Sequence, residues 1–159
     1  MNDDTPLDPA TFRDELHAIY DELDSDVALA GPLCVLSGRC CRFEEYGHTL
    51  FLSEPEFTVL LAEAPPPVRP LDEGKTCPWQ DARGRCVAHE ARPLGCRVYF
   101  CDDVYQTHAH DLSEQYIGRL KRLVEVQGLP WNYAPLHYHL RRARDNGRFT
   151  GPTPAETAQ

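Results

Sequence analysis

Apolar residues recur at intervals of three and four near the start of the chain. They are Phe12, Leu16, Ile19, Tyr20, Leu23 and Val27. This spacing places them on one face of an amphipathic helix. The dipeptide Asp8-Pro9 supplies an N-cap and a proline for the first helical position, and Gly31-Pro32 provides a stop. The pattern predicts a helix over residues 9 to about 29.

A short strand and a short helix are expected next. The segment from Gly47 to Ser53 predicts the strand. Ser53 also begins a capping box with Glu56, so a helix should run from there to about Glu63. A run of three prolines must end this helix, because proline lacks the amide hydrogen and clashes with the preceding turn. Residues 64–76 are therefore expected to form a loop. Asp81-Ala82-Arg83-Gly84 predicts a hairpin turn that places Pro78-Trp79 and Arg85 to Ala88 on short strands.

The last third of the chain predicts two more helices. Asp111 is a candidate cap for the first, with Glu114 completing a capping box. Gly128 stands where a glycine commonly follows the end of a helix. The second helix is expected from about Pro135 to Ala143.

These elements predict a fold that is mostly α with a few short β-strands, a small α+β protein. Helices at about 9–29 and 111–144 supply the core and flank a cysteine-rich stretch, residues 34–101, that has little regular structure of its own. We expect one domain over residues 1–147, because this length can bury a sizeable core. The tail, residues 148–159, has the composition of disorder.

Charge and composition exclude several classes of protein. The chain has 159 residues and a formal net charge of −9, which argues against general binding to nucleic acid or to an anionic membrane. Its beginning, MNDDTPLDPA, lacks the basic and apolar regions of a secretory signal, and no stretch approaches the ~20 apolar residues of a membrane span. We therefore expect a cytoplasmic protein.

All cysteines of the chain lie between positions 34 and 101. They are Cys34, Cys40, Cys41, Cys77, Cys86, Cys96 and Cys101. Structural disulfides are disfavoured in a reducing compartment, and an odd number leaves one cysteine over in any full pairing. Because thiolates are soft ligands, this concentration favours a metal site. Thiols that fill a core as small apolar groups are the simpler alternative.

The cysteines and their neighbours fall into two half-motifs. The first is Cys34-Val35-Leu36-Ser37-Gly38-Arg39-Cys40-Cys41, and the second comprises Cys77-Pro78-Trp79, Arg85-Cys86-Val87 and Arg92-Pro93-Leu94-Gly95-Cys96-Arg97. Together they resemble the YkgJ-type family, described as a zinc- or iron-chelating domain with a CxxCxxCC motif. The resemblance covers residues 34–101, less than half of the chain, and it implies a metal-binding domain.

One position departs from the family pattern and affects the choice of ligands. Where the family has its second cysteine, this chain has Ser37, and serine is a poor ligand for soft metals. We expect four ligands from the set Cys40, Cys41, Cys77, Cys86 and Cys96, with Cys34 and Cys101 in second rank. Neighbours on an extended chain point to opposite faces, so Cys40 and Cys41 can both bind one ion only if the chain turns there.

Two kinds of metal centre are compatible with these cysteines. Structural zinc is typically held by paired C-x2-C knuckles, and the chain has no C-x2-C. Scattered single cysteines suit an iron–sulfur cluster, and a related cysteine module in flagellin lysine methylases resembles an iron–sulfur site. The prediction is a [4Fe–4S] cluster that serves electron transfer or a redox reaction with an unidentified protein partner. A non-enzymatic, zinc-stabilised interaction module and a thiol redox sensor are the alternatives, and no catalytic residue is predicted.

Basic side chains accompany the cysteines. They are Arg39, Arg42, Arg92 and Arg97. Guanidinium groups would stabilise a negatively charged cluster, although arginines of this kind also pair with acids such as those of the first helix. Two histidine pairs are weaker candidates. His108 and His110 would share one face of a strand, whereas His137 and His139 diverge on the predicted helix.

Overall fold

The computed structural model describes residues 9–32, 39–71, 75–100 and 102–151. In chain order the elements are α1 (Pro9–Ala30), a 3-10 turn (Arg39–Cys41), α2 (Phe43–Tyr46), β1 (Phe51–Leu52), α3 (Glu54–Glu63), a second 3-10 turn (His89–Ala91), α4 (Leu94–Val98), α5 (Asp103–Val126), β2 (Ala134–Pro135) and α6 (Leu136–Asp145). The fold is mostly helical with one small antiparallel sheet, so the predicted fold class is confirmed.

The long helices α1 and α5 pack together and form the first of two apolar cores. Leu16 and Leu23 of α1 meet Tyr116, Leu120 and Val124 of α5, and all five are almost completely buried. The apolar stripe that predicted α1 is therefore the face that α5 and α4 cover. Burial of such a stripe supplies most of the stability of helices in water.

The second core lies under α3, α6 and the sheet, and it contains cysteines. Leu52, Phe57, Leu136 and Leu140 are buried there next to Trp79. In the sheet, Phe51 is paired with Pro135 and Leu52 with Ala134. The amide of Leu136 donates to the carbonyl of Leu50 at 2.8 Å, so the sheet leads directly into α6. The cysteine-bearing segments therefore pack against this second core.

The start of α5 differs from the sequence prediction. The helix begins at Asp103 rather than at Asp111, because the carboxylate of Asp102 accepts hydrogen bonds from the amides of Val104 and Tyr105 at 3.0 and 3.3 Å. The prediction of a flanking helix from 111 was therefore wrong by more than two turns. An aspartate at the N-cap satisfies amides that have no partner within the helix.

Three other local predictions also change. His108 and His110 lie within α5 and not on a strand. The strand expected from Gly47 to Ser53 is reduced to Phe51–Leu52. Short strands were also expected on either side of the turn at residues 81–84, and there the structure has one isolated bridge between Gln80 and Cys86. None of the described helices has the length and apolar character that crossing a membrane requires.

Candidate metal centre

Five cysteines from distant parts of the chain surround one small cavity. They are Cys40, Cys41, Cys77, Cys86 and Cys96. The cavity has a volume of about 30 Å³, which is room for an ion or a water molecule. None of the five thiols is in a disulfide. The set favoured from the sequence is thus brought together, whereas Cys34, Ser37 and Cys101 lie outside the described residues.

A 3-10 turn aims the two adjacent cysteines at the same cavity. Cys40 and Cys41 lie in the turn Arg39–Cys41, and their sulfur atoms are 3.9 Å apart. The condition stated from the sequence, that the chain must turn there, is met. The amide of Cys77 donates to the carbonyl of Cys41 at 2.8 Å, so the two half-motifs are joined by backbone next to their thiols.

A tight turn carries Cys86 back to the cavity. The carboxylate of Asp81 accepts hydrogen bonds from the amides of Arg83 and Arg85 at 2.8 and 3.0 Å. Gly84 has a φ of +79°, a conformation that favours glycine because a side chain would be strained there. The turn therefore fixes the distance between Cys77 on one arm and Cys86 on the other.

Helix α4 carries Cys96 and is anchored at its N-terminus. The amide of Leu94, the first residue of α4, donates to Glu56 Oε1 at 2.5 Å. The hydroxyl of Tyr20 donates to the same oxygen at 2.6 Å. Glu56 is buried, with 2% of its surface exposed, and it joins α1, α3 and α4 behind the cavity.

The thiols titrate very differently because they contact one another. The hydrogen bond with Cys41, helped by the charge of Arg92, lowers the pKa of Cys40 to about 6. Contacts with Cys40, Cys77 and Cys86 raise the pKa of Cys41. The pKa of Cys86 is lowered, chiefly by its hydrogen bond with Cys41. Cys41 is therefore the centre of the thiol cluster, and Cys40 and Cys86 ionise before it does.

The thiol of Cys96 is strongly affected by burial. Cys96 keeps some accessible surface, yet burial of its thiol raises its pKa well above the usual range. The charge of Arg92 opposes this effect. A cation bound in the cavity would favour the ionised form of every thiol around it, as it does for coordinating thiols in general.

The arginines beside the cysteines have separate roles. Arg92 lines the cavity. Arg97 points away from it and binds Asp24 of α1 at 2.8 Å, while its guanidinium lies over the ring of Tyr20 at 4.3 Å. Arg42 pairs with Glu45 at 3.6 Å, and the side chain of Arg39 lies outside the described part. Only Arg92, of the three described arginines, thus lines the cavity.

The walls between the thiols are apolar. Leu50, Leu60, Trp79 and Leu136 line the cavity. Trp79 is 2% exposed and its indole nitrogen donates to the carbonyl of Pro65 at 2.8 Å, so the proline-rich loop is fastened to the site. A dry, hydrophobic surrounding controls solvent access and thereby the properties of a bound metal.

A more polar cleft adjoins the cavity and was not predicted from the sequence. It has a volume of about 360 Å³. Phe43, Leu50 and Leu136 belong to the walls of both spaces. His137 and Arg141, four residues apart on α6, line the cleft, as helical spacing places them on one side. In the sequence, only the four-residue spacing of His137 and Arg141 indicated that these two side chains could share a site.

His139 is directed elsewhere, as the helical reading predicted. It stacks on Phe57 and shares a hydrogen bond of 2.9 Å with the carbonyl oxygen of Leu52. Burial lowers its pKa. It therefore belongs to the second core and not to the cysteine cavity.

The described side chains do not form a ready-made set of metal ligands. Among the residues that the structure describes, no three histidine, cysteine, aspartate or glutamate side chains have the arrangement of an ion-binding group. No protein-family model matches the chain, and neither a curated protein nor a solved structure is significantly similar to it. Function must therefore be argued from the site alone.

Proposed function

We propose that this protein binds a soft metal through the thiolates that surround the cavity. The observation that carries the proposal is the convergence of five free cysteines from four short segments on one apolar space. Cys41 contacts three other thiols, so four sulfurs lie next to one another, which is the number that a tetrahedral thiolate centre takes. Thiolates select zinc, copper(I) and iron–sulfur centres over hard cations.

A single ion held by four of the thiols is the first form of this proposal, and the spacing of two sulfurs and the size of the cavity support it. Four sulfurs at 2.3 Å from a zinc ion in a tetrahedron are about 3.8 Å apart, close to the 3.9 Å between the sulfurs of Cys40 and Cys41. The cavity of about 30 Å³ also suits one ion. Such a centre would stabilise the short turns around it, since metal binding and folding are coupled in loops of this kind.

An iron–sulfur cluster is the second candidate and is favoured by the charge of Arg92, which lies beside the thiols. Four thiolates hold such a cluster, as they would one zinc ion, so the fifth cysteine does not distinguish the two. The resemblance to the YkgJ-type family leaves zinc and iron both open, and the related cysteine module of flagellin lysine methylases, which resembles an iron–sulfur site, is what supports a cluster. The [4Fe–4S] core is larger than the cavity, so its ligands would have to move apart. A cluster would provide one-electron transfer to a protein partner.

The setting of the site agrees with a reducing compartment. The described thiols are free, and we infer a cytoplasmic protein from this. The net charge of −9 disfavours nucleic acid as a partner. The acidic surface would instead suit a protein partner with a basic docking face.

Single cysteine variants test the proposal. Cys41→Ser, Cys77→Ser and Cys86→Ser are each expected to lose the metal, measured as metal per chain by mass spectrometry of the purified protein. Leu50→Ala is the matched control, because it removes a cavity wall but no sulfur and should keep the metal despite lower stability. Normal metal content in the three cysteine variants would refute the proposal.

A further inference from the structure

A further cleft lies beside α3 and shares no lining residue with the cysteine cavity. It has a volume of about 460 Å³ and is bounded by α1, α3 and the loop after α5. Its walls are largely apolar, with Phe12, Pro55, Val59 and Leu129 contributing. This volume lies in the range of small-molecule sites, which are mostly apolar with a few polar groups.

One polar group in the wall of this cleft has no partner. Gln127 is 6% exposed, and its Nε2 forms no hydrogen bond with any residue that the structure describes. A buried amide donor without an acceptor costs free energy in the folded protein. The backbone amide of Gln127 is held by the carbonyl of Leu123 at 3.1 Å. The terminal torsion of the side chain is soft, so Nε2 can turn toward a ligand in the cleft.

The charged groups at this cleft are already paired. Arg13 binds Glu63 at 3.2 Å, and the carboxylate of Glu54 accepts a hydrogen bond from Asn132 at 3.1 Å. Gln127 caps the C-terminus of α5, where the helix dipole disfavours a negative charge. The electrostatics therefore disfavour an anion and leave one unsatisfied donor in apolar surroundings.

We propose that this cleft binds a neutral, largely apolar small molecule that presents one carbonyl-type acceptor to the Gln127 amide. The apolar walls supply the affinity, and the buried donor supplies selectivity for ligands with an acceptor. Sites built to hydrogen-bond a ligand group reject analogues that lack it, because the polar group then stays unpaired. The proposal concerns a separate region and does not depend on a metal at the cysteines.

Two fluorescent probes test the proposal on the full chain. Prodan is a neutral naphthalene that carries a ketone, and naphthalene itself lacks an acceptor. The wild type is expected to bind prodan saturably with a blue-shifted emission. Gln127→Leu should weaken prodan binding about tenfold, the effect of one lost hydrogen bond, and should leave naphthalene binding unchanged. Gln115→Leu, an exposed glutamine on α5, is the control and should change neither.

A filling variant locates the binding in this cleft. Thr58 and Thr107 are both exposed helical threonines whose hydroxyls donate to a backbone carbonyl, at 3.1 and 2.9 Å. Thr58→Trp should block both probes, whereas Thr107→Trp should not. The proposal fails if the wild type binds neither probe, if Gln127→Leu weakens both probes equally, or if both tryptophan variants behave alike.

The alternative to a small molecule is occupancy by the segment before Pro9, since that segment precedes α1, which carries Phe12 of the cleft wall. Leu7→Asp in the full chain should leave prodan binding unchanged. A tenfold gain in affinity would instead show that this segment fills the cleft, and would overturn the proposal.

Discussion

Glu56 on α3 accepts a hydrogen bond of 2.5 Å from the amide of Leu94, the residue with which α4 begins. The same carboxylate oxygen accepts the hydroxyl of Tyr20 on α1 at 2.6 Å. One buried oxygen thus joins three helices, and α4 carries Cys96 two residues beyond Leu94. The position of a candidate ligand therefore depends on a residue that does not touch the cavity.

Replacing this carboxylate should destabilise the whole protein. Glu56→Leu leaves the Tyr20 hydroxyl and the Leu94 amide buried without an acceptor, and each such donor costs about 1–3 kcal/mol. We expect a loss of about 3 kcal/mol in the free energy of unfolding, measured by urea denaturation. Tyr20→Phe removes one donor together with its need for an acceptor and should cost about 1 kcal/mol. If Glu56→Leu and Tyr20→Phe lose the same unfolding free energy, this result would argue against one oxygen that accepts both hydrogen bonds.

The contribution of Glu56 should depend on pH. Burial raises its pKa, so the folded protein holds this proton more tightly than the unfolded chain. A carboxyl of this kind stabilises most below its unfolded pKa of about 4.3, and the contribution declines as pH rises through the folded pKa.

Glu56→Gln removes the titrating group and isolates this effect. Both proteins are measured with chelator present. The unfolding free energy of the wild type minus that of Glu56→Gln should decrease as the pH rises from about 4 and should then level off. A difference that grows with pH would show that the ionised carboxylate is the favoured form in the fold.

Arg97 should be far more sensitive to substitution than an exposed arginine in an ion pair. It is 8% exposed, binds Asp24 at 2.8 Å and also donates to the carbonyls of Glu90 and Arg92. Lysine cannot reproduce this fork of donors, so Arg97→Lys should lower the free energy of unfolding by about 2–3 kcal/mol.

The matched control is Arg119→Lys. Arg119 pairs with the exposed Glu22 at 2.5 Å, and pairs in solvent contribute little to stability. Its unfolding midpoint in urea should stay near that of the wild type. If both lysine variants unfold at the same urea concentration, burial does not increase the contribution of Arg97 to stability.

The helical frame could be predicted from the sequence because its signals are local. The stripe from Phe12 to Val27 gave the limits of α1 nearly as observed, and the capping box at Ser53 gave the start of α3. The start of α5 was missed because its cap, Asp102, follows the cysteine stretch, where irregular structure was expected. Local capping chemistry decided that boundary.

The candidate site could be predicted in its residues but not in its geometry. Cysteine density identified the five thiols, whereas the 3-10 turn that brings Cys40 and Cys41 together has no clear signal in the sequence. The anchor at Glu56 and the partner of Arg97, Asp24, depend on contacts between residues distant in the chain. Such contacts follow from packing, which periodicity alone does not encode.

Removal of the proposed metal should loosen the cysteine half of the protein more than the α1–α5 half. Trp79 lines the cavity, whereas Trp131 packs against the first core. We expect chelator to lower the melting temperature, because a ligand bound only by the folded state stabilises it. The accompanying change in fluorescence should persist in Trp131→Phe and vanish in Trp79→Phe. A fluorescence change that arises from Trp131 would place the effect of chelator in the first core and would contradict this prediction.

The most direct measurement of the central claim is the content of zinc, iron and acid-labile sulfide in protein purified without oxygen, with a visible spectrum of the same sample. A thiolate centre predicts about one zinc per chain, or about four iron and four sulfide with a broad visible band. The Cys41→Ser variant should lose the zinc or the cluster, whichever the wild type holds. Wild-type protein without these metals and with all its thiols free to react would contradict the proposed metal centre.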